Sequence, residues 1–97
     1  MTPEGKVKKK VTNILKSIGA YYFFPVTGGF GRSGVPDIIC CVRGKFIGIE
    51  CKAGDNKATA LQLKNIEMIQ TAGGYAFIVN EENIDSLERV LKVMINE

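Results

Sequence analysis

Histidine and tryptophan are missing from this chain of 97 residues, and the lack of histidine excludes several kinds of chemistry. Serine or cysteine nucleophiles that depend on an imidazole base are excluded, and so is a zinc hydrolase with histidine ligands. Any general base must therefore be a carboxylate, a lysine, or a water molecule on a metal ion.

Cysteine is scarce as well, with only Cys40, Cys41 and Cys51, all on predicted strands. An odd number without a C-x-x-C spacing argues against a disulfide framework and against structural zinc. We interpret all three as small buried apolar residues of a cytoplasmic protein, kept in a reducing compartment.

The sequence also lacks a long apolar run and the apolar centre of a signal peptide. We therefore expect no membrane segment and an intracellular location. With 97 residues, of which 45% are hydrophobic, residues 1–97 are expected to form one domain with one modest core.

Acidic residues are absent between Gly5 and Pro36, whereas basic residues are frequent there. Uncompensated positive charge suits a phosphate backbone, although a merely solvated helix face is the alternative for the lysines. The glycine-rich segment 28–34 is interpreted as a loop that positions substrate, with a plain connector as the alternative. The candidate phosphate-binding residues are Lys6, Lys8, Lys9, Lys10, Arg32, Ser33 and Lys57.

Two short apolar runs on either side of Arg43-Gly44 predict two strands, each with one carboxylate. A two-residue loop would make Asp37 face Glu50 and place Lys52 on the same face, while a three-residue loop with a slipped register stays open. Opposed carboxylates are unfavourable unless a cation or another charge compensates them. This end of the hairpin is therefore a candidate site for a hard divalent ion.

The other elements follow from apolar spacing and end signals. A first helix begins at Pro3 after the N-cap Thr2 and ends at Gly19. A strand is predicted over Tyr21–Val26; it is apolar on both faces, so we expect it to be covered on both sides or buried at a subunit interface.

After the hairpin, a helix opens at Thr59, a short strand covers 75–79, and a last helix is capped by Asn83. The order αβββαβα predicts an α/β fold with a four-stranded mixed sheet flanked by helices.

Two polar residues on helices have a structural explanation as well as a functional one. Glu4 suits the positive end of the first helix, and Gln62 completes a capping box with Thr59. From the residues alone, both explanations stay open.

Pro36-Asp37 followed by Glu50-Cys51-Lys52 resembles the PD-(D/E)xK nuclease signature. The wider pattern is similar to the VRR-NUC (virus-type replication and repair nuclease) branch. That branch has an acidic residue in the first helix, which Glu4 matches, and a glycine-rich loop before the aspartate, which residues 28–34 match. It also has a glutamine on the helix after the E-x-K strand, which Gln62 matches. The resemblance extends from Glu4 to about residue 79 and implies a restriction-endonuclease-like core.

The resemblance further implies a DNA endonuclease that uses magnesium, with manganese as a substitute. Lys52 would orient the attacking water or stabilise charge that develops on phosphorus. Oxygen ligands and retained water are what magnesium prefers. The implied catalytic residues are Asp37, Glu50, Lys52 and Gln62, and the implied metal-binding residues are Glu4, Asp37, Glu50 and the carbonyl group of Cys51.

Small free-standing members of this family are associated with virus and phage genomes and resemble four-way-junction resolvases. The implied substrate is branched DNA recognised by shape, and two symmetric cuts would need a homodimer. Three alternatives remain: a nuclease of flaps or duplex, a catalytically inactive DNA-binding accessory protein, and a structural domain whose carboxylates only pair with Lys52 and Arg43.

Overall fold

The computed structural model describes residues 1–26 and 31–97, and within these ranges the element order is the predicted αβββαβα. The predicted α/β class is confirmed by a mixed sheet of order β1-β2-β3-β4, in which β3 and β4 are parallel and the other pairs antiparallel. Residues 28–30 of the predicted glycine-rich loop lie outside the described residues. The helices are α1 (Pro3–Ser17), α2 (Ala60–Thr71) and α3 (Ile84–Ile95), and the strands are β1 (Tyr21–Phe23), β2 (Ile38–Val42), β3 (Lys45–Cys51) and β4 (Tyr75–Val79).

Helix α1 begins and ends as the local sequence predicts. The Thr2 hydroxyl accepts a hydrogen bond from the Gly5 N–H at 3.0 Å, and Pro3 occupies the first helical position. Gly19 follows the helix with φ 74°, a conformation that a glycine adopts at little cost. These ends fix Glu4 in the first turn.

Strands β2 and β3 form a hairpin joined by Arg43-Gly44. Both turn residues have positive φ, 52° and 81°, which is the requirement of a type I′ turn. Val42 pairs with Lys45, and further along the hairpin Ile39 pairs with Gly48. The predicted register is confirmed, and the alternative of a three-residue loop with a slipped register is wrong.

The two faces of the sheet are covered by different helices. Helices α1 and α3 pack on one face and α2 packs over β3 and β4 on the other. Gly48 permits the close approach of α2, because a Cβ atom there would lie 2.8 Å from Pro36 and 2.9 Å from Ile69. The buried apolar residues between the sheet and α1 and α3 include Val7, Val11, Leu15, Ile38, Val42, Ile47, Ile49, Leu87 and Leu91.

Strand β1 is shorter than predicted, since it ends at Phe23 rather than Val26. Because β1 is an edge strand and α2 covers the other half of that face, Tyr21 is 73% exposed and Phe23 is 48% exposed. Cys41, which pairs with Tyr21, is also exposed, so the prediction that all three cysteines are buried is wrong for this one. Among the described residues of a single chain, β1 is therefore covered on one side of the sheet only.

In the part of the chain that the structure describes, helices long and apolar enough to cross a membrane are absent.

Candidate metal and catalytic site

Three carboxylates from separate elements converge at the end of the hairpin. Glu4 comes from the first turn of α1, Asp37 from the residue before β2, and Glu50 from the end of β3. One oxygen of each lies within 4.8 Å of the others. Such a set of oxygen atoms is suited to a hard divalent cation.

Asp37 is placed by a backbone contact. Its Oδ2 accepts a hydrogen bond from the Cys51 N–H at 2.8 Å. Asp37 lies just before Ile38, the first paired residue of β2. It therefore does not pair with Glu50 in the ladder as predicted, and bonds to the backbone of Cys51 instead. The contact holds the carboxylate beside the backbone of Cys51, the residue whose carbonyl group is a predicted ligand.

Glu50 is the buried member of the cluster, with 2% of its surface exposed. Its Oε2 accepts a hydrogen bond from Gln62 Nε2 at 3.1 Å, whereas Oε1 has no hydrogen-bond partner among the described residues. Burial and the negative charge of Asp37 raise the pKa of Glu50 to about 7, although Lys52 acts in the opposite direction. A buried carboxylate with one oxygen left without a partner fits a metal ligand.

Lys52 supplies the positive charge beside these carboxylates. Its Nζ lies 3.6 Å from Glu50 Oε2 and 4.0 Å from Glu4 Oε1, and its side chain is only 12% exposed. Its backbone N–H donates to the Val79 carbonyl at 2.8 Å, which anchors it next to β4. The ammonium group is therefore held against the cluster and has little freedom to move into solvent.

Gln62 makes both of the contacts that the sequence left open. Its Oε1 accepts from the Thr59 N–H at 2.9 Å, and the Thr59 hydroxyl accepts from the Gln62 N–H at 3.2 Å, which completes the capping box. The same side chain donates from Nε2 to Glu50. One residue thus caps α2 and orients a carboxylate of the cluster.

The segment that leads to Asp37 is held by a residue that the sequence analysis missed. Asn65 is buried on α2 and donates from Nδ2 to the carbonyl groups of Ser33 and Leu61, at 3.1 and 2.9 Å. Gly34 lies against the helix at φ 78°, where a Cβ atom would be 2.6 Å from the Leu61 side chain. A polar residue in the buried stripe of α2 is the signal that could have identified Asn65.

Two lysines share a cavity with members of the cluster. Lys8 lies one helical turn after Glu4 and lines a cavity of about 300 Å³ together with Glu4, Asp37 and Cys51. Lys57 lines another, of about 240 Å³, together with Lys52. Lys8 therefore adjoins the carboxylates directly, whereas Lys57 adjoins Lys52, and the contact of both lysines with phosphate stays a prediction.

The other predicted phosphate-binding residues are not gathered at the carboxylates. Arg32 lines a cavity beside Phe46 and α2, and the carbonyl group of Ser33 accepts from Asn65. Lys6, Lys9 and Lys10 line a cavity that also contains Glu81. Their contact with DNA stays a prediction.

No family model matches the chain. The sequence is 28% identical over 85 residues to "Putative nuclease p44" of Acyrthosiphon pisum secondary endosymbiont phage 1. The matched region covers 87% of this chain and 89% of that protein. The fold is similar to a solved "VRR_NUC domain" with TM-score 0.78 and 26% identity, over 92% of this chain and 97% of the other. A second solved structure, "VRR_NUC domain protein", has the same fold with TM-score 0.73 and 24% identity, over 98% of this chain and 89% of the other.

Proposed function

We propose that the protein is a metal-dependent endonuclease of the VRR-NUC type that hydrolyses phosphodiester bonds in DNA, because its fold is similar to two solved VRR-NUC domains and its sequence is similar to a phage protein named as a putative nuclease. One observation carries the proposal: Glu50 is buried beside two further carboxylates and has an oxygen atom without a partner among the described residues. Lys52 pairs with one oxygen of Glu50, but three clustered carboxylates carry more negative charge than this one lysine compensates. A purely structural role would not favour such an excess of charge, because it reduces stability.

The oxygen atoms fit magnesium, with manganese as a substitute. Asp37, Glu50 and the carbonyl group of Cys51 would hold one ion, and Glu4 would hold a second ion or a water molecule of the first. When bound, the ion polarises a phosphoryl oxygen and lowers the pKa of a bound water molecule. Asp37 and Glu50 supply the negative charge that holds it there.

The remaining polar groups act on the substrate and on Glu50. Lys52, which lies 3.6 Å from Glu50, would orient the attacking water or stabilise the negative charge that develops on the phosphoryl oxygens. Gln62 keeps one oxygen of Glu50 in position. Positive side chains around the cluster would contact the DNA backbone, namely Lys8 and Lys57 close by and Lys6, Lys9, Lys10 and Arg32 further away. The uncharged hydroxyl of Ser33 would add a hydrogen bond to a phosphate.

The proposed substrate is branched DNA recognised by its shape, with the four-way junction as the first candidate and flaps or duplex as alternatives. Two symmetric cuts need two sites, so we propose a homodimer. The sheet face that bears Tyr21, Phe23 and Phe46 supports this, because the exposed fractions of these aromatic residues are 73%, 48% and 50%. Light scattering that gives the mass of a single chain, with and without DNA, would contradict the homodimer.

The experiment that tests the activity is cleavage of a four-way junction, a flap and a matched duplex, each with magnesium, manganese or EDTA. The matched control is Asp37→Asn, because the asparagine oxygen can still accept from the Cys51 N–H. We expect the unchanged protein to cut only with metal and the variant not to cut. Magnesium should also raise the melting temperature of the unchanged protein and not that of the variant.

Paired symmetric cuts in the junction alone would support a dimeric resolvase, and cutting of flap or duplex would keep the nuclease and exclude the resolvase. DNA binding without metal-dependent cutting of any substrate would contradict the nuclease and favour an accessory DNA-binding protein.

Gln62→Glu separates the two contacts of Gln62. Glutamate keeps the acceptor of the capping box but replaces the amide that donates to Glu50 with a second carboxylate. We expect cleavage to slow by about 10–100-fold, as for other groups that orient a metal ligand, while α2 stays capped. Cleavage rates and thermal unfolding measure the two effects.

The control for Gln62→Glu is Thr59→Ala, which removes the hydroxyl of the cap and leaves the Gln62–Glu50 contact in place. It should cost about 1 kcal/mol of stability and leave cleavage nearly unchanged. If Thr59→Ala slows cleavage as much as Gln62→Glu does, loss of the Gln62–Glu50 contact does not explain the slower cleavage of Gln62→Glu.

A further inference from the structure

A groove runs from the carboxylate cluster along α1 and β1. Its cavity of about 380 Å³ shares Gly5 and Lys8 with the cavity that contains Glu4 and Asp37, so the two cavities adjoin at these residues. The groove is lined chiefly by lysines and aromatic rings, and none of its lining residues is acidic: they include Lys8, Lys9, Lys16, Tyr22 and Phe24.

The aromatic side of the groove presents an open ring. Phe24 follows β1 and is 45% exposed. The Tyr22 ring contacts it edge-on at a centroid distance of 6.0 Å, and Lys8 Nζ lies 4.3 Å from its centroid. These two contacts orient the Phe24 ring, because both an edge-on aromatic pair and a cation over a ring have preferred geometries.

The lysine side of the groove is a track of positive charge. Lys8, Lys9 and Lys16 lie on the same helix, and α1 rises about 12 Å between Lys8 and Lys16. A line of positive charges with an exposed ring beside it is the arrangement by which proteins bind single-stranded nucleic acid, since phosphates meet the charges and a base stacks on the ring. Paired bases in duplex DNA stack on each other and would leave the Phe24 ring unused.

We propose that this groove binds unpaired nucleotides of the DNA strand next to the bond that is cut. The Phe24 ring stacks on a base, Lys9 and Lys16 contact phosphates, and Lys8 lies where the groove opens into the carboxylate site. This rests on the proposed nuclease function and, among the substrates proposed for it, favours a flap, which carries unpaired nucleotides beside the branch point, over the fully paired four-way junction.

The first test measures binding in EDTA, where cleavage is prevented, to a blunt duplex and to the same duplex with an unpaired tail. We expect about tenfold tighter binding to the tailed duplex, and loss of this preference in Phe24→Ala. The control is Tyr75→Ala, since Tyr75 is a comparably exposed aromatic residue (40%) on the strand at the opposite edge of the sheet. Equal binding of both duplexes by the unchanged protein, or retention of the preference by Phe24→Ala, would overturn the proposal.

A second test uses the absence of tryptophan from the sequence. Phe24→Trp introduces a single indole at the proposed stacking position, and Tyr75→Trp introduces one at the control position. We expect an oligothymidine to quench the emission of Phe24→Trp, which should keep the preference for the tailed duplex, and to leave Tyr75→Trp unchanged. Similar quenching of both variants, or of neither, would contradict stacking at Phe24.

These readouts separate the groove from the nuclease activity. Binding of tails without metal-dependent cutting would contradict the proposed function and keep the groove. Cutting of branched DNA at an unchanged rate and affinity by Phe24→Ala would keep the nuclease and contradict the groove.

Discussion

Glu50→Gln is expected to remove metal-dependent cleavage and to make the metal-free protein more stable. The amide is a poor ligand for a divalent ion, so the cleavage rate should fall more than about a thousandfold. In EDTA the same change removes a buried charge that lies beside Asp37. Gln62 Nε2 can still donate to the amide oxygen, and we expect the melting temperature to rise by several degrees.

The gain in stability of Glu50→Gln should depend on pH. In the folded protein the pKa of Glu50 is raised from its ordinary value of 4.5 to about 7, so between these values the folded state holds a proton that the unfolded state has lost. This contribution to the free energy of unfolding is fully present below pH 4.5 and is lost as the pH rises through 7. Glutamine does not titrate, so its advantage over glutamate should be small at pH 5 and larger at pH 7.5.

Urea unfolding of both proteins in EDTA, at pH 5 and pH 7.5, measures this difference. Comparison of the variant with the unchanged protein at each pH cancels the titration of groups that lie far from Glu50. A variant that is less stable than the unchanged protein at pH 7.5 would show that the Glu50 carboxylate is well compensated without metal. That result would remove the main support for the metal site.

Lys52→Ala is also expected to reduce cleavage, though by less than Glu50→Gln, and to change stability in the opposite direction. Removal of the ammonium group leaves Glu50 and Glu4 without their nearest positive charge, so the metal-free protein should melt at a lower temperature. Loss of a positioned group that stabilises charge in the transition state should lower the cleavage rate by about 10²–10³-fold. Single-turnover cleavage and thermal unfolding in EDTA measure the two effects.

The control for Lys52→Ala is Lys45→Ala, at the other end of the same strand. Lys45 pairs with Glu97 at 2.9 Å, and that glutamate is largely exposed, so the pair should contribute at most about 1 kcal/mol. We expect this variant to cut at the normal rate. Unchanged cleavage by Lys52→Ala would remove Lys52 from the mechanism, whatever its effect on stability.

The hairpin was the most predictable part of the fold, because alternation and a two-residue turn determine which residues pair. Arg43 adopts the positive φ that the turn needs although asparagine is preferred there, and the pairing of Ile39 with Gly48 follows. Glu50 and Lys52 share a face for the same reason. The alternation of side chains along β3 therefore predicted that the charges of Glu50 and Lys52 lie side by side.

Other parts depended on tertiary contacts that a linear pattern does not contain. The bond from the Cys51 N–H to Asp37 lies beyond the last paired residue, where strand alternation has no predictive value. The exposure of Cys41 depends on how far α2 extends over the sheet, and the contact of Lys8 with Phe24 on how α1 lies beside β1. Gln62 was ambiguous from the sequence because one side chain makes both predicted contacts.

The position of Glu4 on α1 has a consequence for how the proposed site is assembled during folding. Asp37, Glu50 and Lys52 all lie at one end of the hairpin, so they can approach one another once β2 and β3 pair. Glu4 and Lys8 arrive only when α1 packs against the sheet through Val7, Val11 and Leu15. A partly folded chain would therefore hold an incomplete centre, and fraying of α1 would switch the proposed enzyme off before the rest of the fold was lost.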